Sequence, residues 1–438
     1  MTRERIAWIF CLLAAVALSV RATTATSARD EDYAFVRMIV DLQRMVGSNY
    51  VKQVDPDRLR QAAINGMLSE LDPFTVYVPP NRQEDFDRML EGTFKGVGVQ
   101  LNQLDNGQIE VVTPVDGSPA FKAGVMAGDV LLKVNGESVE GLRLPEAIKK
   151  IAGPIGTEVT FTVRHATGEV VDLKMTRQDV VIPTVRGFNR ESDGKWDWYI
   201  RDDPKIGYLR CTQFTPETFD AIKAAIDQLL ASGMRGLILD LRFNPGGRLD
   251  QAIKVIDLFL DSGVILSTRG LNRPEQTVRA TPSGNLPRFP IIVVVNEHSA
   301  SASEVVAGSL QDNKRAVVIG ERTYGKGSVQ EVVPLAQNAG ELKMTVAYYY
   351  LPNGRCVHRE KDATEWGVEP NIVVKMTEAE QLRLQRDRYE AEIFKRPTTK
   401  PSTQPTTQPS LDPQLQRAVD TMTALLVFDG GPVTQPAN

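Results

Sequence analysis

Ser301 and Lys326 are the residues of this chain whose types and settings could do covalent chemistry. Ser301 stands in the small-residue run Ser299-Ala300-Ser301-Ala302-Ser303-Glu304, after the apolar strand candidate Ile291-Ile292-Val293-Val294-Val295 and before a helix reading from Ser303 to Leu310. A serine at such a turn lies near backbone N–H groups and the positive end of a helix, where developing negative charge is stabilised. It still needs a base. Lys326, between Gly325 and Gly327, is the candidate, because desolvation can lower a lysine pKa enough for the neutral amine to take a proton. The three serines cannot share one role: on a helix Ser299 and Ser303 fall on one face and Ser301 nearly opposite, so the flanking pair can cap or pack. His298, three residues from Ser301 in the same turn, reads as a turn residue, and His165 and His358 as structural ones. Gly320 to Lys326 satisfies most of a phosphate-loop pattern. Gly327 stands where that loop requires Ser or Thr, and Ser328 to Val333 reads as strand, which excludes nucleotide binding.

The run Asn296 to Glu304, together with Gly325-Lys326-Gly327-Ser328-Val329-Gln330, resembles the tail-specific or carboxyl-terminal processing proteases. The likeness extends through Gly236 to Gly247, Ile206 to Phe214 and Tyr350 to Arg355, covering most of residues 30 to 375 in order. It implies a nucleophile at Ser301, a general base at Lys326 and Gln330 orienting the lysine. It further implies an oxyanion hole from the Ala302 N–H and an N–H of the Gly246-Gly247 turn. Were Lys326 to Gln330 extended, both side chains would share one face. Gly96-Val97-Gly98-Val99, with Gly117-Ser118-Pro119-Ala120 and Gly128-Asp129, resembles a PDZ domain. There a glycine-rich loop offers N–H groups to a terminal carboxylate and a strand edge pairs with the peptide. Two departures stand out. Ala152 occupies a position where the resembled proteases commonly carry arginine, leaving Lys149 or Lys150 as substitutes, and Phe74 replaces a more usual histidine.

The implied architecture is α+β and multidomain: an N-terminal helical segment, a β-rich PDZ module and an α/β protease core of the ClpP/crotonase-like kind. Residues 29–90 read as helical, with Phe35, Met38, Ile39 and Leu42 on one apolar face. Residues 91–178 show short strands at Val97–Leu101, Ile109–Val112, Val130–Val134, Val159–Val163 and Val170–Met175, with a helix at Leu144–Ile151. From 179 to 376 strands alternate with helices, which favours chemistry at strand ends. A charged helix occupies 377–396, a Pro/Thr-rich linker 397–412, a helix docking on the core 413–427 and a frayed tail 428–438.

Of the 438 residues 42% are hydrophobic and 24% charged, enough for several globular units, and the formal net charge of -4 leaves no basic footprint for nucleic acid. Basic Met1 to Arg5, apolar Ile6 to Val20 and small Ala22, Ala25 and Ala28 read as an export signal over residues 1–28. The expected location is the periplasm or cell envelope, with an uncleaved signal as an alternative membrane anchor. Cys211 and Cys356 then remain, either paired or as two free thiols. Three histidines without ligand spacing point to no metal, and the chemistry requires no cofactor. The expected partners are unfolded polypeptide C-termini, a second copy through the N- and C-terminal helices, and an activator or adaptor protein. The expected function is an exported serine endopeptidase. A non-catalytic PDZ-containing peptide-binding scaffold on the same fold is the alternative.

Overall fold

The computed structural model describes residues 33–191, 195–282, 286–393 and 411–428. The signal expected over residues 1–28, most of the expected linker and most of the expected tail lie outside the described residues. Contacts divide the chain into two units: one runs through Val78 and includes Val332–Met344, the other holds Pro79–Glu331 and Thr345 onward.

The smaller unit contains a helix over 33–49, a helix Pro56–Ser69 and a strand Val76–Val78 pairing antiparallel with Glu341–Lys343. Asp55 caps the second helix by accepting from the Asp57 N–H, with Pro56 in its first turn. Phe35, Met38, Leu42 and Met45, spaced three or four apart, are each about half exposed or more. That face has no cover among the described residues.

In the larger unit, five antiparallel strands follow the order Val99–Gln103, Ile109–Pro114, Val130–Val134, Glu158–Arg164, Val170–Thr176. Burial alternates along Glu158–Arg164, with Val159, Phe161 and Val163 turned into the module's core, the two-residue period of a half-buried sheet. The helix Leu144–Ile151 lies where the sequence placed it. Among elements the pattern did not signal are the short helix Pro119–Ala123 and the strand pair Thr93–Gly96 with Gln178–Val181.

The rest is built on parallel strands in the order Lys205–Cys211, Gly236–Asp240, Ile291–Val295, Val317–Gly320, Ile372–Val373. Their apolar runs are continuous because both faces are covered. Leu237, Leu239, Val293 and Val295 pack with the helices Thr218–Ala231, Leu249–Asp257 and Ala302–Asp312. Ile238, Ile292 and Val294 face the C-terminal helix Pro413–Phe428 instead. A second, antiparallel sheet pairs Val264–Gly270 with Arg273–Arg279 and with Tyr348–Tyr350. Three adjacent parallel strands end at Asp240, Val295 and Gly320, and the loops leaving those ends carry the candidate chemistry.

Candidate functional site

Ser301 has φ 55° and ψ -118°, a backbone state an L-residue holds only when its surroundings impose it. The imposition is local. Ser299, fully buried, donates its hydroxyl to the Leu241 carbonyl (2.8 Å) and accepts from the Asn296 N–H (3.0 Å). Ser303, also fully buried, donates to the Asn244 carbonyl (3.1 Å). The flanking serines are thus structural ties, and the turn between them projects Ser301 at the start of helix Ala302–Asp312.

Glu304 joins this turn to the lysine loop. Its carboxylate, with no exposed surface, accepts from the Ser301 N–H (2.8 Å), the Lys326 N–H (2.8 Å), the Gly325 N–H (2.7 Å) and the Thr323 hydroxyl (2.6 Å). One side chain therefore ties the backbone of both candidate residues. Burial pushes its pKa up from the ordinary carboxylate value, and the four donors only partly offset that. The spacing Ser-x-x-Glu, a helix-start signature, was the sequence signal for this residue. No pattern foretold Tyr349. Its buried hydroxyl donates to the Lys326 carbonyl, and burial first, then the Glu304 charge, push its pKa well above the usual phenol range.

Lys326 is half-buried in the loop before the strand Ser328–Pro334. A Cβ on Gly325 would lie 2.7 Å from the Arg359 Cβ, and one on Gly327 2.5 Å from the His358 N, so the loop packs flush on its neighbour as a lysine needing desolvation would require. Gln330 is half-buried on that strand and donates to the Ser328 (2.7 Å) and Thr345 (3.3 Å) hydroxyls.

The Gly246-Gly247 turn meets the serine turn directly. A Cβ on Gly246 would fall 2.8 Å from the Ser301 Cβ and 2.9 Å from the Ala302 N. The Gly246 N–H donates to Asn244 Oδ1 (2.8 Å), which leaves the Gly247 N–H as the member of the pair better suited to join Ala302 in holding an oxyanion. His298 stacks on Phe243 at 5.3 Å between ring centroids, a packing role. Cys211 and Cys356 are free thiols; burial pushes Cys211 up to about 12. No His/Cys/Asp/Glu group that could hold a metal occurs among the described residues.

In the PDZ-like module the Val97 carbonyl accepts from the Ala120 N–H (2.8 Å). The Gly98 carbonyl accepts from the Val115 N–H (2.9 Å) and the Ser118 hydroxyl (3.1 Å). In a trans peptide the following N–H points the opposite way, so the Gly98 and Val99 amides face outward from this clamp. Val99 begins the strand at the edge of its sheet, where an added peptide strand can pair. Beside Gly153, next to Ala152, lies the guanidinium of buried Arg177, which donates to the Ile151 carbonyl (2.7 Å). Lys150 pairs with Glu137 on the surface.

Comparison with known proteins matches the peptidase family S41 to residues 205–374, a PDZ domain to 110–165 and an activating-protease CtpB N-terminal domain to 15–81. A carboxy-terminal-processing protease of Bartonella bacilliformis is 38% identical over 381 residues, 85% of this chain and 83% of that protein. The chain belongs to peptidase family S41. It is a serine-type peptidase with a PDZ domain and a mixed α/β protease core. A carboxy-terminal processing protease of Bacillus subtilis is 33% identical over 75% of this chain and 66% of its own length. Among solved structures, a photosystem II D1 C-terminal processing protease is 29% identical over 77% of this chain and 92% of that one, with a TM-score of 0.43.

Proposed function

We propose that this S41 peptidase is an exported endopeptidase that cleaves unfolded chains selected by their free C-terminus. Ser301 attacks the peptide carbonyl while neutral Lys326 takes its proton, with Gln330 orienting the lysine. The Ala302 N–H and an N–H of the Gly246-Gly247 turn receive the oxyanion, the C–N bond breaks as Lys326 passes its proton to the leaving amine, and water then hydrolyses the acyl-enzyme. The observation that carries this reading is the Glu304 bridge, which ties the backbones of Ser301 and Lys326 to one buried carboxylate. The outward amides of Gly98 and Val99 beside an open strand edge support carboxylate capture by the loop Gly96 to Val99. Loops leaving parallel strand ends support a ClpP/crotonase-like core. The signal-like residues 1–28 support the periplasm or envelope as location, and the uncovered apolar face of helix 33–49 supports a homodimer or an adaptor. The C-terminal helix uses its apolar face inside the chain, so the dimer proposal rests on the N-terminal one.

The test is covalent labelling and cleavage. A serine-directed acylating probe is expected to label the wild type and not Ser301→Ala, and both Ser301→Ala and Lys326→Ala are expected to lose cleavage of an unfolded protein. Wild-type activity in either variant would remove the dyad. No labelling of the wild type at any pH would favour the scaffold reading.

A further inference from the structure

One face of the parallel sheet is covered by helix Pro413–Phe428, through Leu415, Ala418, Val419, Met422 and Leu426. The start of that helix makes a different kind of contact. Asp412, the last residue of the segment that reads as linker, accepts from Arg242 Nη1 (2.7 Å), and Gln414 Oε1 accepts from the same nitrogen (3.2 Å). The same Asp412 oxygen caps the helix, accepting from the N–H groups of Gln414 (3.1 Å) and Leu415 (3.0 Å). Arg242 has a fully buried side chain and also grips Asp240 through Nε (3.1 Å) and Nη2 (2.7 Å). Asp240 accepts in addition from Tyr208 (2.9 Å) and from Arg388 of helix Glu378–Glu392. Two carboxylates and two guanidinium groups thus close a charge-balanced cluster, with Asp240 and Arg242 fully buried and Asp412 and Arg388 about a tenth exposed.

Arg242 opens the loop that ends at Gly247. Phe243 follows with φ 62°, held by its N–H on Asn296 Oδ1 (2.9 Å) and by the Arg388 guanidinium 5.5 Å from its ring centroid. The Asn244 carbonyl accepts from the Ala300 N–H (3.0 Å) and the Ser303 hydroxyl, and Gly246 backs onto Ser301. The cluster and the nucleophile turn are therefore the two ends of one short, strained segment.

We propose that Asp412 is a positioning residue for the reaction: acting through Arg242, it fixes the loop 242–247 and with it the donors that face the oxyanion. The helix 413–428 then serves catalysis as well as the core. The proposal rests on the reading of Ser301 and the Gly246-Gly247 turn given above.

Asp412→Asn separates the two roles, because asparagine caps a helix as well as aspartate and removes only the charge. Expected in the full-length chain are a fall in kcat of roughly 100-fold at unchanged KM and faster amide exchange confined to 243–247, at a melting temperature near wild type. Asp412→Glu is expected to recover part of kcat. In an Arg242→Met background Asp412→Asn is expected to add nothing, since the effect runs through Arg242. Wild-type kcat and exchange in Asp412→Asn would overturn the proposal. So would a loss of kcat matched by faster exchange throughout the core, which is the mark of a purely structural role. If Asp412→Asn fails to fold, the Arg242→Met pair and Asp412→Glu carry the same decision. Amide exchange is read without turnover, so it tests the coupling even if Ser301 takes no acyl probe.

Discussion

Glu304 is a costly residue to bury, and its cost is informative. A carboxyl whose folded pKa is raised favours the folded chain most below its ordinary titration range, and that contribution disappears as pH rises through the folded value. Only the carboxylate form accepts all four donors from Ser301, Lys326, Gly325 and Thr323, so these contacts oppose the upward push of burial. Asp240 is the opposite case. Its burial would raise its pKa, but Arg242 and Arg388 hold it far below the carboxylate range, so its stabilisation is present above about pH 4 and lost on strong acidification. Glu304→Gln would turn an amide N–H₂ toward backbone N–H groups that can only donate. We expect kcat to fall roughly 100-fold from misplacement of the two loops and the melting temperature to fall as well, since buried N–H donors lose their acceptor. Protonation of Lys326, the proposed base, gives both proteins an acid limb in the pH–kcat profile, and the wild type is expected to lose kcat more steeply along it than the Gln variant, as Glu304 takes up a proton. A Gln variant with wild-type kcat would reduce the Glu304 bridge to an incidental contact.

At the scale of elements, the loop after Asp240 has no slack against the serine turn. A Cβ at Gly246 would meet backbone, 2.7 Å from the Ala300 carbonyl oxygen and 2.9 Å from the Ala302 N, at φ 99°. Backbone cannot swing aside as a side chain can, so Gly246→Ala is expected to lower kcat by roughly 100-fold or more. Gly107→Ala, at φ 82° with nothing near its Cβ, is expected to cost only about 1 kcal/mol in a thermal melt and leave kcat intact. Equal kinetics in the two variants would mean that the loop tolerates movement. The strands that hold these loops were legible in the sequence, because Ile291–Val295 and Gly236–Asp240 are buried on both faces and hence unbroken apolar runs. The antiparallel strand Arg273–Arg279 was not: its residues are almost all exposed and polar, so burial leaves no period to read. Ser301 and Lys326 stand out through local small-residue spacing, and Glu304 is encoded in the Ser-x-x-Glu spacing of a helix start. The Asp240 cluster is assembled from Arg388 and Asp412, more than a hundred residues away, and no local pattern encodes such a meeting.

At the scale of the whole molecule, selection by the C-terminus requires the PDZ domain to be mechanically joined to the protease core. Asp116, between Val115 and Ser118, which clamp the Gly98 carbonyl, pairs with Arg190 of the core hairpin Asn189–Arg190 and Trp196–Asp197. The Arg190 guanidinium lies over the Trp196 ring at 4.3 Å, and its side chain is 10% exposed, so the pair is oriented rather than loosely solvated. Under the proposed function, a peptide entering at Gly96 to Val99 would lie next to the Val115–Ser118 segment that Arg190 grips through Asp116. Arg190→Ala is therefore expected to leave hydrolysis of a small ester at the wild-type rate. It is expected to lower the preference for an unfolded protein with a free carboxylate over its amidated form by about 5-fold or more, the lower end of a typical coupling. The measurement is kcat/KM for the matched pair of substrates in the wild type and the variant. An unchanged ratio would mean that binding at the PDZ loop reaches the Ser301 turn by a route that bypasses Arg190. A ratio of one already in the wild type would instead remove carboxylate selection, while the chemistry of the two loops would stand on its own.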